Sequence, residues 1–202
     1  MTVYCGHFNH LKNRCDLIKQ KFLDQELQSE LKDGLQYSPD LEMLAAYRLL
    51  VHAELEYFLE QRAKDTLNAL DLAVKSGSSW QRANPQVLGL CLIGRHVIKG
   101  KGPLTEDGLK EVAALVIREA RDCITNNHGI KNESFTMLSL IAGKVWEEID
   151  AQVSSMLHSY GTDRGDVAHQ TIGKSTSITA PSAELSNVSD MITALGHYFD
   201  AH

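Results

Sequence analysis

SPDLEMLAAYRLLVHAELEYFLEQRAKDTLNALDLAVKSGSS, residues 38–79, decides the fold. It opens with Ser38-Pro39-Asp40-Leu41-Glu42, which supplies a capping hydroxyl, a first-turn proline and acids against the positive end of a helix dipole. No breaker follows until Ser76-Gly77-Ser78-Ser79, so the pattern predicts one helix to about Val74. Leu44, Val51, Leu55, Phe58, Leu67, Leu70 and Val74 are its expected core residues. It is the longest element of the expected scaffold.

Outward from that helix the chain keeps the same period. On the N-terminal side, Phe8, Leu11, Cys15, Ile18 and Phe22 alternate spacings of three and four. Leu27 and Leu31 carry this stripe on, and Asp33-Gly34 ends it. On the C-terminal side, Val87-Leu88-Gly89-Leu90-Cys91-Leu92-Ile93 lies within an apolar segment over 86–98, read as helix because its surroundings are helical. Gly100-Lys101-Gly102-Pro103 breaks the chain and lacks the further residues of a phosphate-binding loop.

Thr105-Glu106-Asp107 then starts a helix with Leu109, Val112, Ala113, Val116, Ile117, Ala120, Cys123 and Ile124 on its apolar face. Asn126-Asn127-His128-Gly129 closes it, and a short helix is expected around Ser134 to Ile141. Trp146, Ile149, Val153, Met156, Leu157 and Tyr160 form another stripe. After a polar linker at 173–182, Leu185, Val188, Met191, Ile192, Leu195 and Phe199 make a final helix. The four prolines, 39, 85, 103 and 181, interrupt none of these runs. The expected fold is all-α, in a single domain over 1–202.

Composition narrows the function. With 202 residues, 43% of them apolar, the chain is long enough for a sizeable core. A net charge of −6 argues against a broad basic surface, so any contact with nucleic acid has to be local. No apolar run approaches the roughly 20 residues that span a bilayer, and the N-terminus has no signal-peptide pattern. Cys5, Cys15, Cys91 and Cys123 form no Cys-x-x-Cys pair, which points to reduced thiols and a cytoplasmic location. Cys5, His7, His10 and Cys15 match no standard zinc spacing, so neither metal nor cofactor is expected.

The chemistry concentrates in Asp163-Arg164-Gly165-Asp166-Val167-Ala168-His169-Gln170. Arginine is a permanent cation suited to a phosphate, and histidine exchanges a proton near neutral pH. RNA carries its own nucleophile, the 2′-hydroxyl, so such a pair suffices for cleavage without a metal. Five residues along an ideal helix turn about 500°, which sets the two side chains roughly 140° apart. Either Gly165 bends the helix so that both reach one cleft, or each chain contributes its pair across a dimer axis. Asp166 is placed to orient either residue. The bland alternative is an ion pair of Arg164 with Asp163 or Asp166, with His169 only capping.

The order of helices, together with Tyr47-Arg-Leu-Leu-Val-His-Ala-Glu-Leu-Glu56, Asn127-His-Gly-Ile-Lys131 and Tyr160-Gly-Thr-Asp-Arg-Gly-Asp-Val-Ala-His169, resembles the HEPN superfamily, more narrowly its prokaryotic RiboL-PSP-HEPN branch. The resemblance covers roughly residues 40–200, with the helix at about 7–33 as an addition. It implies a helical bundle that dimerises so that two Arg-x4-His motifs face each other. It also implies a metal-independent endoribonuclease of a toxin–antitoxin or antiviral defence system, with RNA and an antitoxin or other defence protein as partners. Other members have lost catalysis and bind a nucleotide or a partner protein. Catalytic members often carry a polar residue directly after the arginine, where this chain has Gly165.

Two further candidates stand beside the motif. Arg121 and His128 form a reserve arginine–histidine pair, although the Asn-His-Gly cluster reads equally well as capping. Glu54 shares a face with Tyr47, Val51 and Phe58, and a carboxylate in an apolar stripe needs a partner. Arg164, Arg48 or a histidine is the expected partner for a supporting role, and an ion pair at the stripe's edge is the structural alternative.

Overall fold

The structure is a computed structural model that describes residues 4–77, 106–169 and 179–200. The expected helix at 86–98, the break at 100–103 and most of the polar linker lie outside these residues. The described chain is helical, with no strand among the described residues. In order it forms α1 (Tyr4–Phe22), α2 (Asp24–Asp33), a 3-10 turn (Gly34–Gln36) and α3 (Leu41–Ser76). These are followed by α4 (Glu106–Thr125), α5 (Asn132–Ile141), a 3-10 turn (Trp146–Glu148), α6 (Ala151–His169) and α7 (Pro181–Tyr198). None of the described helices is long and apolar enough to cross a membrane.

Packing divides the chain into two compact units, Met1–Phe58 with Gly129–Phe135 and Asp150–His202, and Leu59–His128 with Thr136–Ile149. In the first unit, Phe8, Leu11, Cys15 and Ile18 of α1 are buried at the expected spacing. They share its core with Leu44, Val51, Leu55 and Phe58 of α3, Leu157 of α6 and Val188, Met191 and Leu195 of α7. Rings link the elements: Phe58 lies 5.8 Å from both Phe8 and Phe199 by centroid, within the range of favourable aromatic pairs. Gly196 is required here, because a Cβ at that position would stand 2.7 Å from Phe8 Cζ.

Several boundaries differ from the sequence reading, each for a local reason. The N-terminal stripe does not continue as one face. The chain breaks at Leu23, which is fully buried, while Leu31 is 89% exposed. After Ile18 the buried positions are Leu23 and Glu26, off the line that spacings of three and four predict through Phe22 and Leu27. Glu26 occupies the buried face of α2, its Oε2 accepting from Tyr37 OH at 2.6 Å and from Asp40 N at 2.9 Å.

The start of α3 is capped by Asp40 and not by Ser38: Asp40 Oδ1 accepts from the N–H groups of Glu42 and Met43 at 3.0 and 3.1 Å. A carboxylate reaches two free donors and also favours the positive helix end. Asp150 does the same for α6, accepting from Gln152 N at 2.8 Å and Val153 N at 3.0 Å. That cap leaves Trp146 outside the helix and 69% exposed, so it is not part of the α6 stripe. The last helix begins at Pro181, which puts two residues of the expected linker into its first turn.

The second unit holds the C-terminal half of α3, with Leu59, Ala63, Leu67, Leu70 and Val74 buried as the apolar pattern requires. Ala113, Ile117 and Ile124 form the buried face of α4, while Cys123 is exposed, one position off that line. Thr66 Oγ1 donates to the Ala142 carbonyl at 3.2 Å, and Gly143 closes α5's exit at φ +94°.

Candidate functional site

Helix α6 carries the motif, and it is helical without interruption from Ala151 through Gly165 to His169. Gly165 thus does not interrupt the helix, since glycine permits a distortion but does not impose one. On a regular helix positions 164 and 169 are about 140° apart around the axis. The side chains of Asp166 and His169 lie outside the described residues.

The surroundings of Arg164 are set by Gly161, one turn earlier on the same face. Without a side chain there, neighbours approach the α6 backbone closely. A Cβ at Gly161 would meet Ile130 Cγ1 and Lys131 Cγ at 3.3 Å and His52 Nε2 at 3.6 Å. Helical side chains lean toward the N-terminus, so Arg164 extends back over this spot. Its Nε is sealed from water and has no hydrogen-bond acceptor among the described residues.

His52, on α3, is 2% exposed and its Nδ1 likewise lacks a hydrogen-bond partner. Burial, then the positive charges of Arg164 and Lys131, push its pKa down to about 4. The imidazole is thus neutral at pH 7. Its 3.8 Å approach to Glu56 Oε2 is not an ion pair at that pH.

Arg48, one helical turn before His52, has the opposite environment. It is 2% exposed and lies against Glu184, which is fully buried. Arg48 Nε donates to Glu184 Oε2 at 3.2 Å, and Arg48 Nη2 donates to Glu184 Oε1. Thr179 Oγ1 adds a 2.7 Å hydrogen bond to Glu184 Oε1. The Tyr160 ring lies 5.7 Å from the guanidinium carbon, and burial followed by the Glu184 charge drives the Tyr160 phenol well above its ordinary pKa.

Beyond this pair, a cleft of about 330 Å³ opens between α6 and α7, lined by Ser155, Ser159, Asp163, Asn187 and Asp190 with Arg48 at its base. Asp163 Oδ2 stands 3.9 Å from Arg48 Nη1. With the Arg48 charge offset by Glu184, the cleft presents hydroxyls and two carboxylates, and it disfavours a phosphate. Asp163 and Arg164 therefore serve different surroundings although they are adjacent in sequence.

The other candidates are dispersed. Glu54 is held by α1, with Arg14 Nε donating to its Oε1 at 2.8 Å and His10 Nε2 at 3.8 Å from its Oε2. Its partner is thus Arg14, which the sequence reading did not consider. In the second unit, Arg121 Nη2 donates to Asp71 Oδ2 at 2.6 Å, while His128 is exposed. The Arg121 and Lys75 contacts hold the Asp71 carboxyl below its usual range.

Sequence reasoning offered Arg48 only as a partner for Glu54 and gave no role to His52, Lys131 or Glu184. A signal existed for two of them: Arg48 and His52 interrupt the apolar spacing of Leu44, Val51 and Leu55 on the buried side of α3. Comparison with protein-family models, with curated proteins and with solved structures finds no match.

Proposed function

We propose that this chain is a HEPN-type, metal-independent endoribonuclease domain of a toxin–antitoxin or antiviral defence system, and that it works as a pair of copies. The observation that carries this reading is the setting of Arg164. Its guanidinium is permanently charged, with Nε sealed and without an acceptor among the described residues, next to a neutral imidazole and a second cation. Unsatisfied buried donors are expensive, by about 1–3 kcal/mol each, and they concentrate where a ligand completes the arrangement. An anion does so here.

The continuous helical assignment of α6 supports the pairing. Because positions 164 and 169 diverge around one helix, an arginine from one copy meets a histidine from the other. In the proposed reaction the 2′-oxygen attacks phosphorus and one His169 imidazole takes its proton. The bond from phosphorus to the 5′-oxygen breaks, and the second His169, as imidazolium, gives that oxygen a proton. Arg164 holds the non-bridging oxygens while charge builds on them. The products are a 2′,3′-cyclic phosphate and a 5′-hydroxyl. The −6 net charge is compatible, since the positive potential needed is confined to one cleft.

RNA cleavage in EDTA, with cyclic-phosphate end-group analysis, tests this. Wild type cleaves, and Arg164→Ala and His169→Ala lose at least about 100-fold, the usual size for a lost acid–base group or charge stabiliser. Mixing the two inactive variants restores no activity, because a mixed dimer keeps a single His169 and the reaction uses one as base and a second as acid. Wild type inert on every RNA, or activity that requires an added metal, sinks the reading. The divergence of 164 and 169 also favours a second reading, a non-catalytic module that binds a nucleotide or partner protein. In that case His169→Ala leaves the cellular defence phenotype unchanged.

A further inference from the structure

Lys131 was part of a quoted sequence pattern but had no role assigned, and its position supplies one. It immediately precedes α5, and its stem lies on the α6 backbone where Gly161 leaves room, with Cγ 3.3 Å from the place a Cβ would take. The stem is thereby ordered, while the residue remains exposed. Arg164 sits one turn further along α6, on the same face as Gly161. Among the described residues neither cation takes part in an ion pair. Glu56 Oε2 stands 3.8 Å from the His52 Nδ1.

This arrangement is electrostatically unfavourable as it stands. Two like charges share a small area, and a lysine at the start of a helix opposes the positive dipole end. The His52 imidazole, with Nε2 3.6 Å from the same Cβ position, is neutral and carries no compensating charge. Such a combination is relieved by an anion that accepts from both cations.

We propose that Lys131 and Arg164 form a two-cation clamp for a backbone phosphate of single-stranded RNA, with the His52 imidazole as its buried floor. The assignment of RNA as ligand rests on the ribonuclease reading; the clamp itself rests on the geometry around Gly161. Lys131 is a binding residue here and takes no part in proton transfer.

The test uses the full chain and a fluorescent 2′-deoxy oligonucleotide, which binds but lacks the attacking hydroxyl. Anisotropy is measured across a salt series for wild type, Lys131→Ala and Lys131→Arg, with circular dichroism melts as folding controls. Lys131→Ala is expected to raise Kd about tenfold at low salt. It is also expected to reduce the slope of log K against log salt by about 0.7, the loss of one single-strand phosphate contact. Lys131→Arg restores both. With cleavable RNA, KM rises in Lys131→Ala and kcat changes less than about threefold.

Unchanged affinity and slope in Lys131→Ala overturn the clamp even if RNA cleavage is intact. Oligonucleotide binding that depends on Lys131, in a chain that cleaves no RNA, keeps the clamp and removes the ribonuclease. Titration with inorganic phosphate alone separates the sources. Tight phosphate binding together with an oligonucleotide affinity indifferent to Lys131→Ala overturns the assignment to RNA.

Discussion

Two arginines of the first unit, Arg48 on α3 and Arg164 on α6, show how differently one side chain is used within a single core. Arg48 is enclosed, and its donors meet the Glu184 carboxylate from two directions. Arg164 has one donor sealed without an acceptor among the described residues, and its charge, like that of Lys131, acts on the neutral His52 imidazole. The first arrangement is complete in the folded chain. The second leaves one donor without an acceptor among the described residues. Burial alone does not describe a cation's setting; the state of its acceptors differs between these two.

The largest effect expected from this contrast is on stability. Glu184→Ala removes the carboxylate that accepts from Arg48 Nε and Nη2, leaves Asp163 Oδ2 3.9 Å from Nη1, and is expected to lower stability by about 3–5 kcal/mol in denaturant unfolding. A loss below about 1 kcal/mol would show that water or another acid replaces Glu184, and the contrast with Arg164 would weaken.

Acid comes next. The folded His52 pKa of about 4 lies below its ordinary value near 6.5, so the unfolded chain binds more protons between these limits. Its contribution is complete above about pH 6.5 and is lost as pH falls toward 4, a change on the order of 3 kcal/mol. His52→Gln should flatten the unfolding free energy over that window. A profile as steep as wild type in His52→Gln would assign the acid sensitivity elsewhere.

Gly161→Ala is smaller and mixed in sign. Alanine gains about 1 kcal/mol of helix propensity over glycine, but the new methyl stands 3.3 Å from the buried Ile130 Cγ1 and the Lys131 stem. Overpacking of this kind costs about 1–3 kcal/mol, so a net loss near 1 kcal/mol is expected. Displacement of Lys131 should weaken oligonucleotide binding at the same time. Unchanged binding with unchanged stability would mean the site tolerates a methyl and that Gly161 does not organise it.

The smallest effect sharpens the comparison from the other side. Arg164→Ala should change stability by less than about 1 kcal/mol, since no ion pair among the described residues is broken and one unsatisfied donor is removed. Loss of RNA cleavage without loss of stability is the pattern that distinguishes Arg164 from Arg48.

Much of the helical scaffold was legible in the chain. The α3 core residues from Leu44 to Val74 are all buried, because apolar spacing over ten turns leaves only one face to hide. The helix ends were less legible. Asp40 and Asp150 took the caps because carboxylates reached two amides each, and the slip at Leu23 broke a stripe whose spacing still looked regular in one dimension. For the site, the sequence pattern singled out Arg164 but not its neighbours. His52, Lys131 and Gly161 lie far apart in the chain, and no local period links them.

What the sequence alone determined is the helical class and the buried face of α3, since both follow from local periodicity. Tertiary structure decided which charged groups are paired. Arg48 met Glu184 across 136 positions, Glu54 met Arg14 across 40, and Arg164 was set beside His52 and Lys131. Ion pairing depends on distance and desolvation in three dimensions, and neither is encoded in the spacing along one helix.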